Sequence, residues 1–173
     1  AQSHAFVQVL QGDSGRTLYS RYPVAQFHAE EKRFDLTIGP NRFTSQGVEL
    51  DLKAQDWRIT GGLSFSDPVV WPITWRAPGV MGWYAWAPFM QCYHGILSLD
   101  HSIRGVLNIH GEPVDMTGGR GYMEKDWGCS FPPAYIWMQS NHFEKPGTSF
   151  IASIAVIPWL RRSFTGFLIG VYH

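Results

Sequence analysis

The sequence predicts an all-β protein with almost no helix, and three observations carry that prediction. Apolar and polar residues alternate with period two through most of the chain, as strands with one buried face require. Turn-forming groups recur between those segments, drawn in part from 18 glycines and 11 prolines. No segment carries the apolar spacing of an amphipathic helix. Short strands at regular spacing, with no helices to cover them, imply a closed antiparallel barrel or a sandwich.

The elements follow in order. Residues 4–10 form a short apolar-rich run closed by the turn Gly12-Asp13-Ser14-Gly15, and 17–24 return from it through Pro23. Residues 33–38 place Phe34, Leu36 and Ile38 on one face and Arg33, Asp35 and Thr37 on the other. Gly39-Pro40-Asn41 turns the chain into 42–52, where Val48, Leu50 and Leu52 alternate with Glu49 and Asp51. Residues 57–65 repeat the pattern, as do 103–109 before the turn His110-Gly111-Glu112-Pro113. Three more strands are expected at 135–143, 149–157 and 163–173. The Gly118-Gly119 pair marks the expected boundary between 1–117 and 118–173.

Composition narrows the function classes. Charged residues make up 16% of the chain, against about a quarter usually, while apolar residues reach 45%. Sparse charge suggests a large apolar interior or an apolar ligand. Lys plus Arg balances Asp plus Glu at 14 each, and no basic cluster provides a nucleic-acid footprint. Cys92 and Cys129 make neither a disulfide framework nor a CxxC motif. No HExxH, dinucleotide fingerprint, P-loop or nucleophile elbow occurs, so neither a metal nor a cofactor is expected.

Residues 77–99 contain no Asp, Glu, Lys or Arg and would be long enough to span a bilayer as a helix. Pro78, Pro88, Gly79, Gly82 and Gly95 break that run, and Gln91 and His94 lie inside it. Strands and bends lining a cavity fit it better, so no spanning helix is expected, while peripheral membrane contact stays open. The chain opens Ala1-Gln2-Ser3 with no signal peptide visible and closes inside an apolar run. It therefore reads as a fragment, soluble or peripheral to a membrane.

Three passages resemble the tocopherol cyclase family. The first is His4-Ala5-Phe6-Val7-Gln8. The second runs Pro78-Gly79-Val80-Met81-Gly82-Trp83-Tyr84 and continues through Pro88-Phe89-Met90-Gln91-Cys92-Tyr93-His94-Gly95. The third is Gly119-Arg120-Gly121-Tyr122-Met123-Glu124-Lys125-Asp126-Trp127-Gly128, followed by Ser130-Phe131-Pro132 and Trp137-Met138-Gln139-Ser140-Asn141-His142-Phe143. The resemblance covers the central part of a family chain. It implies two lipocalin-like β-barrels, with 1–117 as most of the first and 118–173 as the opening strands of the second. It also implies an activity: a prenylated hydroquinone closes to a chromanol when its phenol oxygen adds across the nearest chain double bond.

That closure needs a proton for a trisubstituted alkene and a site that excludes water. Aromatic faces attract the developing cation by about 0.5–2 kcal/mol each. Five of the eight tryptophans lie between Trp57 and Trp86, and Tyr84, Phe89 and Tyr93 extend that cluster. A cavity wall is one reading of these rings and a packed core the other. As a wall, Trp83, Trp86 and Tyr93 are expected to be mostly buried and to approach Trp127 or Trp137, with Tyr122 beside them.

For the acid, Glu124 and Asp126 are two apart and share a strand face. Asp126 is preferred because Trp127 can shield it, with burial first and Glu124 second raising its pKa. The alternative is an exposed turn or an ion-pair knot with Arg120. His94 is either a base for the phenol proton or a structural histidine. Gln139 and Asn141 fall on one strand face with Trp137, either as partners for a quinol head or as an outer polar ladder. The expected partner is a hydrophobic small molecule, a prenylated aromatic. A non-catalytic isoprenoid carrier is the competing function, and an aromatic-rich carbohydrate-binding sandwich a third.

Overall fold

The computed structural model describes residues 3–54, 57–87, 90–159 and 162–173. Strands hold 65% of the described residues and helix 5%. Among the described residues the helical part is two short 3-10 turns, Val24–Gln26 and Gly82–Trp86. Every strand pair whose register is defined is antiparallel. The all-β expectation holds, and the arrangement is consistent with a barrel-like fold. No described helix is long and apolar enough to cross a membrane. Phe89 lies outside the described residues.

Strands β1 (His4–Gln11) and β2 (Arg16–Pro23) form a hairpin. A larger sheet follows from β3 (Phe27–Ala29), β4 (Asp35–Ile38), β5 (Asn41–Thr44), β6 (Gly47–Ala54), β7 (Trp57–Val69), β8 (Cys92–Ile109), β9 (Glu112–Asp115) and β10 (Arg120–Gly128). Its order is β10-β8-β7-β6-β5-β4-β3, with β9 on β8. A third sheet orders β11 (Tyr135–Ser140), β12 (Ser149–Trp159) and β13 (Arg162–Tyr172).

Several elements differ from their expected bounds. The run 42–52 breaks at Ser45 and Gln46, where Thr44 Oγ1 accepts from Gln46 N–H and donates to the Gly47 carbonyl. A local side-chain turn there outcompetes a continuous ladder. β8 begins at Cys92, well before the expected 103, because both faces of residues 92–101 are at least partly covered, so no polar alternation marks that half of the strand.

The chain divides into two compact units. One takes Ala1–Ser66 with Ile103–Gly119, the other Asp67–Ser102 with Arg120–His173. Asp67–Ser102 groups with Arg120–His173 and not with the residues on either side of it in the sequence. The reason is β8. Its first half pairs with β10 and its second half with β9, so the chain divides across one long strand.

The first unit is built on Val7, Leu18, Leu52 and Ile59, which form one buried cluster. Alternation puts each on the inner face of its strand. Gly39 turns at φ 58, and a Cβ there would meet the Tyr22 ring at 2.3 Å. Asn41 is fully buried and fully used. Its Nδ2 donates to the Ile38 carbonyl at 2.9 Å and to Tyr22 Oη at 3.1 Å, while its Oδ1 accepts from Asp51 N–H at 2.9 Å. Asn41→Ala strands these groups without partners and is expected to destabilise the protein by about 2 kcal/mol. Urea denaturation followed by circular dichroism measures that loss, and an unchanged midpoint would refute it.

Candidate functional site

In the second unit, antiparallel pairing sets Asp126 on β10 directly across from His94 on β8, with Glu124 opposite Ile96. Glu124 and Asp126 share a face because they are two apart, and His94 reaches both. Its Nδ1 lies 2.7 Å from Asp126 Oδ1 and 3.0 Å from Glu124 Oε1. Tyr122 Oη donates to the other Glu124 oxygen, Oε2, at 2.6 Å. Both oxygens of Glu124 are thus engaged, and its side chain is only 9% exposed. His94 N–H donates to Met81 Sδ at 3.2 Å. Among the described residues, His94 Nε2 has no partner.

The electrostatics follow from this geometry. Hydrogen bonds to Asp126 and then Glu124 outweigh burial and raise the His94 imidazolium to about 9. Burial works to raise the Asp126 carboxyl, but hydrogen bonds with His94 and Glu124 and the imidazolium charge carry it below its ordinary value. Burial pushes the Tyr122 phenol well up, helped by its bond to Glu124. Burial also raises the Cys92 thiol, with the charges of Asp126 and Glu124 adding to it.

Two expectations are therefore corrected. Asp126 is not a buried acid held neutral: its side chain is 39% exposed and its carboxyl is an anion at pH 7. It pairs with His94, not with Arg120 as the alternative had it, because the strand register sets His94 opposite it. His94 is not a free base, since it already carries the proton at neutral pH. Nδ1, Oε1 and Oδ1 lie within 4.8 Å of one another, a spacing that a divalent cation could bridge. The short separations are those of a shared N–H, however, and Nδ1 must lose that proton before it can ligate.

Two cavities meet at this group. The smaller, of about 290 Å³, is lined by His94, Glu124, Asp126, Phe131, Pro132, Tyr135, Trp137, Ser153 and Ala155. The larger, of about 390 Å³, has walls that include Val80, Met81, Trp83, Tyr84, Met90, Gln91, Cys92, Leu168 and Ile169. His94, Pro132, Ser153 and Ala155 line both. Ser153 and Ala155 occupy alternate positions on β12 between Ile151 and Ile157. Small residues at inward positions of an otherwise bulky strand are the signal in the sequence for this space. The role of Met81 has no such signal, since a sulfur accepting from a strand N–H leaves no signature in the sequence.

The aromatic expectations divide. Tyr93 stacks on Trp127 with centroids 5.6 Å apart, and Tyr122 tilts against Trp137 at 6.1 Å. Trp83 and Trp86 are 64% and 68% exposed, not buried. Both sit on the 3-10 turn Gly82–Trp86, where residues three apart share one side, and that side faces outward. Trp83 still lines the larger cavity and stacks on Tyr84 at 4.0 Å. Trp127 lines neither cavity; Lys125 Nζ sits 5.3 Å from its ring. Asn141 follows β11 and lines neither cavity; its Nδ2 donates to Asp100 Oδ1 and to the Gly121 carbonyl. Gln139 lines neither cavity, and its buried Nε2 has no partner among the described residues.

A family model described as tocopherol cyclase-like matches residues 63–172. The chloroplastic tocopherol cyclase of Zea mays is 31% identical over 98 residues, covering 53% of this chain and 20% of that protein. The probable chloroplastic tocopherol cyclase of Oryza sativa subsp. japonica is 27% identical over 107 residues, covering 58% and 22%. The chain thus spans about a fifth of the length of the curated relatives it matches. No solved structure matches it.

Proposed function

Because the chain belongs to the tocopherol cyclase-like family, we propose that His94, Glu124 and Asp126 are the acid–base centre of a cyclase that closes a prenylated hydroquinone to a chromanol. One observation carries this reading: a histidine held protonated between two carboxylates lies on the wall shared by two cavities. The quinol ring sits in the smaller cavity, against Tyr135 and Trp137. The prenyl tail lies in the larger, mostly apolar one. Exposed Trp83 marks the mouth through which a tail would enter from a lipid surface.

The acid is His94, and its Nε2–H is the proton it donates. At about 9, this imidazolium is a weaker donor than an ordinary one by roughly 3 kcal/mol. Protonation to a free tertiary cation is therefore disfavoured, and the phenol oxygen attacks as the proton moves. The Nε2 proton goes to the less substituted alkene carbon, and the phenol oxygen bonds the more substituted one. Asp126 takes the phenol proton. As His94 loses its charge, Asp126 loses the cation that depressed it and becomes a stronger base at that moment. Water then returns the proton from Asp126 to Nε2. The net change is an isomerisation, with no electron gained or lost. The two carboxylates and the rings of Tyr135 and Trp137 stabilise the positive charge that develops on the tail.

The test uses the full-length protein and a prenylated hydroquinone in D2O. The expected product is a chromanol with one deuterium on the ring methylene next to the new C–O carbon. Chromanol without that deuterium would exclude His94 as donor. Quinol bound but returned unchanged would make the cavities those of an isoprenoid carrier.

A further inference from the structure

Strands β8 and β10 are out of simple register in one place. Ile96 faces Glu124 and His101 faces Gly121, so β8 takes five steps where β10 takes three. Two extra residues are accommodated as successive bulges, on either side of the Ser98–Met123 pair. Beyond them the ladder runs without a break through Glu124–Ile96 to Asp126–His94. A slip of one residue there would set Lys125 or Trp127 across from His94 and turn both carboxylates to the other face.

A buried polar lock sits inside this irregular stretch. Asp100, on the bulged part of β8, is 7% exposed and accepts from Arg120 Nε at 3.0 Å and from a second guanidinium nitrogen. The fork-shaped pair fixes both distance and angle. Asn141 Nδ2 joins it, donating to Asp100 Oδ1 at 3.1 Å and to the Gly121 carbonyl at 2.9 Å. Ser98 Oγ holds the bulge itself by donating to the Asp100 carbonyl at 2.8 Å. Gly121 leaves room for the arrangement: a Cβ there would lie 2.1 Å from His101 Nε2. None of Asp100, Arg120 and Asn141 lines either cavity of the candidate site.

We infer that Asp100, Arg120 and Asn141 are positioning residues, which hold the double bulge in the register that puts Asp126 opposite His94 and Glu124 within its reach. The inference rests on the geometry of the His94 group and not on the cyclase reading, and its test needs no substrate.

The test is NMR of the histidine side chains in the full-length protein at pH 8, with His94 assigned from a His94→Gln sample. In the native protein about nine-tenths of His94 is charged at that pH, and its Nδ1–H gives a downfield resonance. Arg120→Lys keeps the charge but loses the fork. Asp100→Asn with Arg120→Gln replaces the ion pair by an amide pair. In either variant, with its strand content intact by circular dichroism, the charged fraction is expected to fall to below about a tenth and the Nδ1–H resonance to vanish. A folded variant that keeps both signatures would overturn the inference. So would loss of folding in both, which would make the lock a requirement of the fold and not of the site.

Discussion

His94→Gln in the full-length protein is expected to lower chromanol formation about a thousandfold, or roughly 4 kcal/mol in the barrier, while prenyl-hydroquinone affinity changes less than about tenfold. Glutamine keeps a polar N–H near the position of the imidazole but has no acidic proton to give. It also removes the cation between Glu124 and Asp126, which leaves two carboxylates facing each other around an empty position. Like charges so close do not both stay ionised in acid, and one of them takes up a proton. The residual activity of this variant is therefore expected to rise as pH falls, whereas the native activity does not. Product formation by chromatography and binding by fluorescence quenching measure the two effects separately. If kcat is unchanged, His94 is not the donor. Equal losses in kcat and in binding would point to a collapsed site instead.

The second large effect is on pH dependence. With His94 at about 9, native activity is expected to hold through neutral pH and then fall tenfold per pH unit beyond that value. Glu124→Gln removes one of the two charges that raise the imidazolium, so its alkaline limb is expected to move down by at least about one unit, or 1.4 kcal/mol. Stability follows the same linkage. His94 is raised on folding, so its stabilising contribution is complete below its ordinary value of 6.5 and is lost as pH rises towards 9. Asp126 is depressed on folding, so its contribution is present above its ordinary 3.8 and is lost as pH falls through its lower folded value. From pH 6 to pH 10, the native protein is expected to lose roughly 3 kcal/mol more stability than His94→Gln does. Equal losses in the two proteins would show that the triad does not hold its proton on His94.

Alternation is a local property, and what it governs was legible without coordinates. Leu36 and Ile38 set β4, Leu50 and Leu52 set β6, and the chain is all-β for that reason. The motif from Gly119 to Gly128 likewise marked Glu124 and Asp126 as a same-face pair, and His94 stood out as a lone histidine in an uncharged run. What joins these three residues is not local. His94 and Asp126 are 32 residues apart and meet only because β8 and β10 pair in one register, past two bulges that no periodicity announces. The proton's location depends on that meeting: alone, either carboxyl is a candidate acid, but with an imidazole 2.7 Å away the stronger base is His94. Exposure was decided the same way. Trp83 and Trp86 are as apolar as any core residue, but a 3-10 turn leaves them facing outward. Asn141 reads as a ligand group by strand parity, but Asp100 and Gly121 claim its amide once the strands assemble. Residue type and spacing set which chemistry is possible here, and only the packing of distant strands decides which atom holds the proton, because burial and charge act through space and not along the chain.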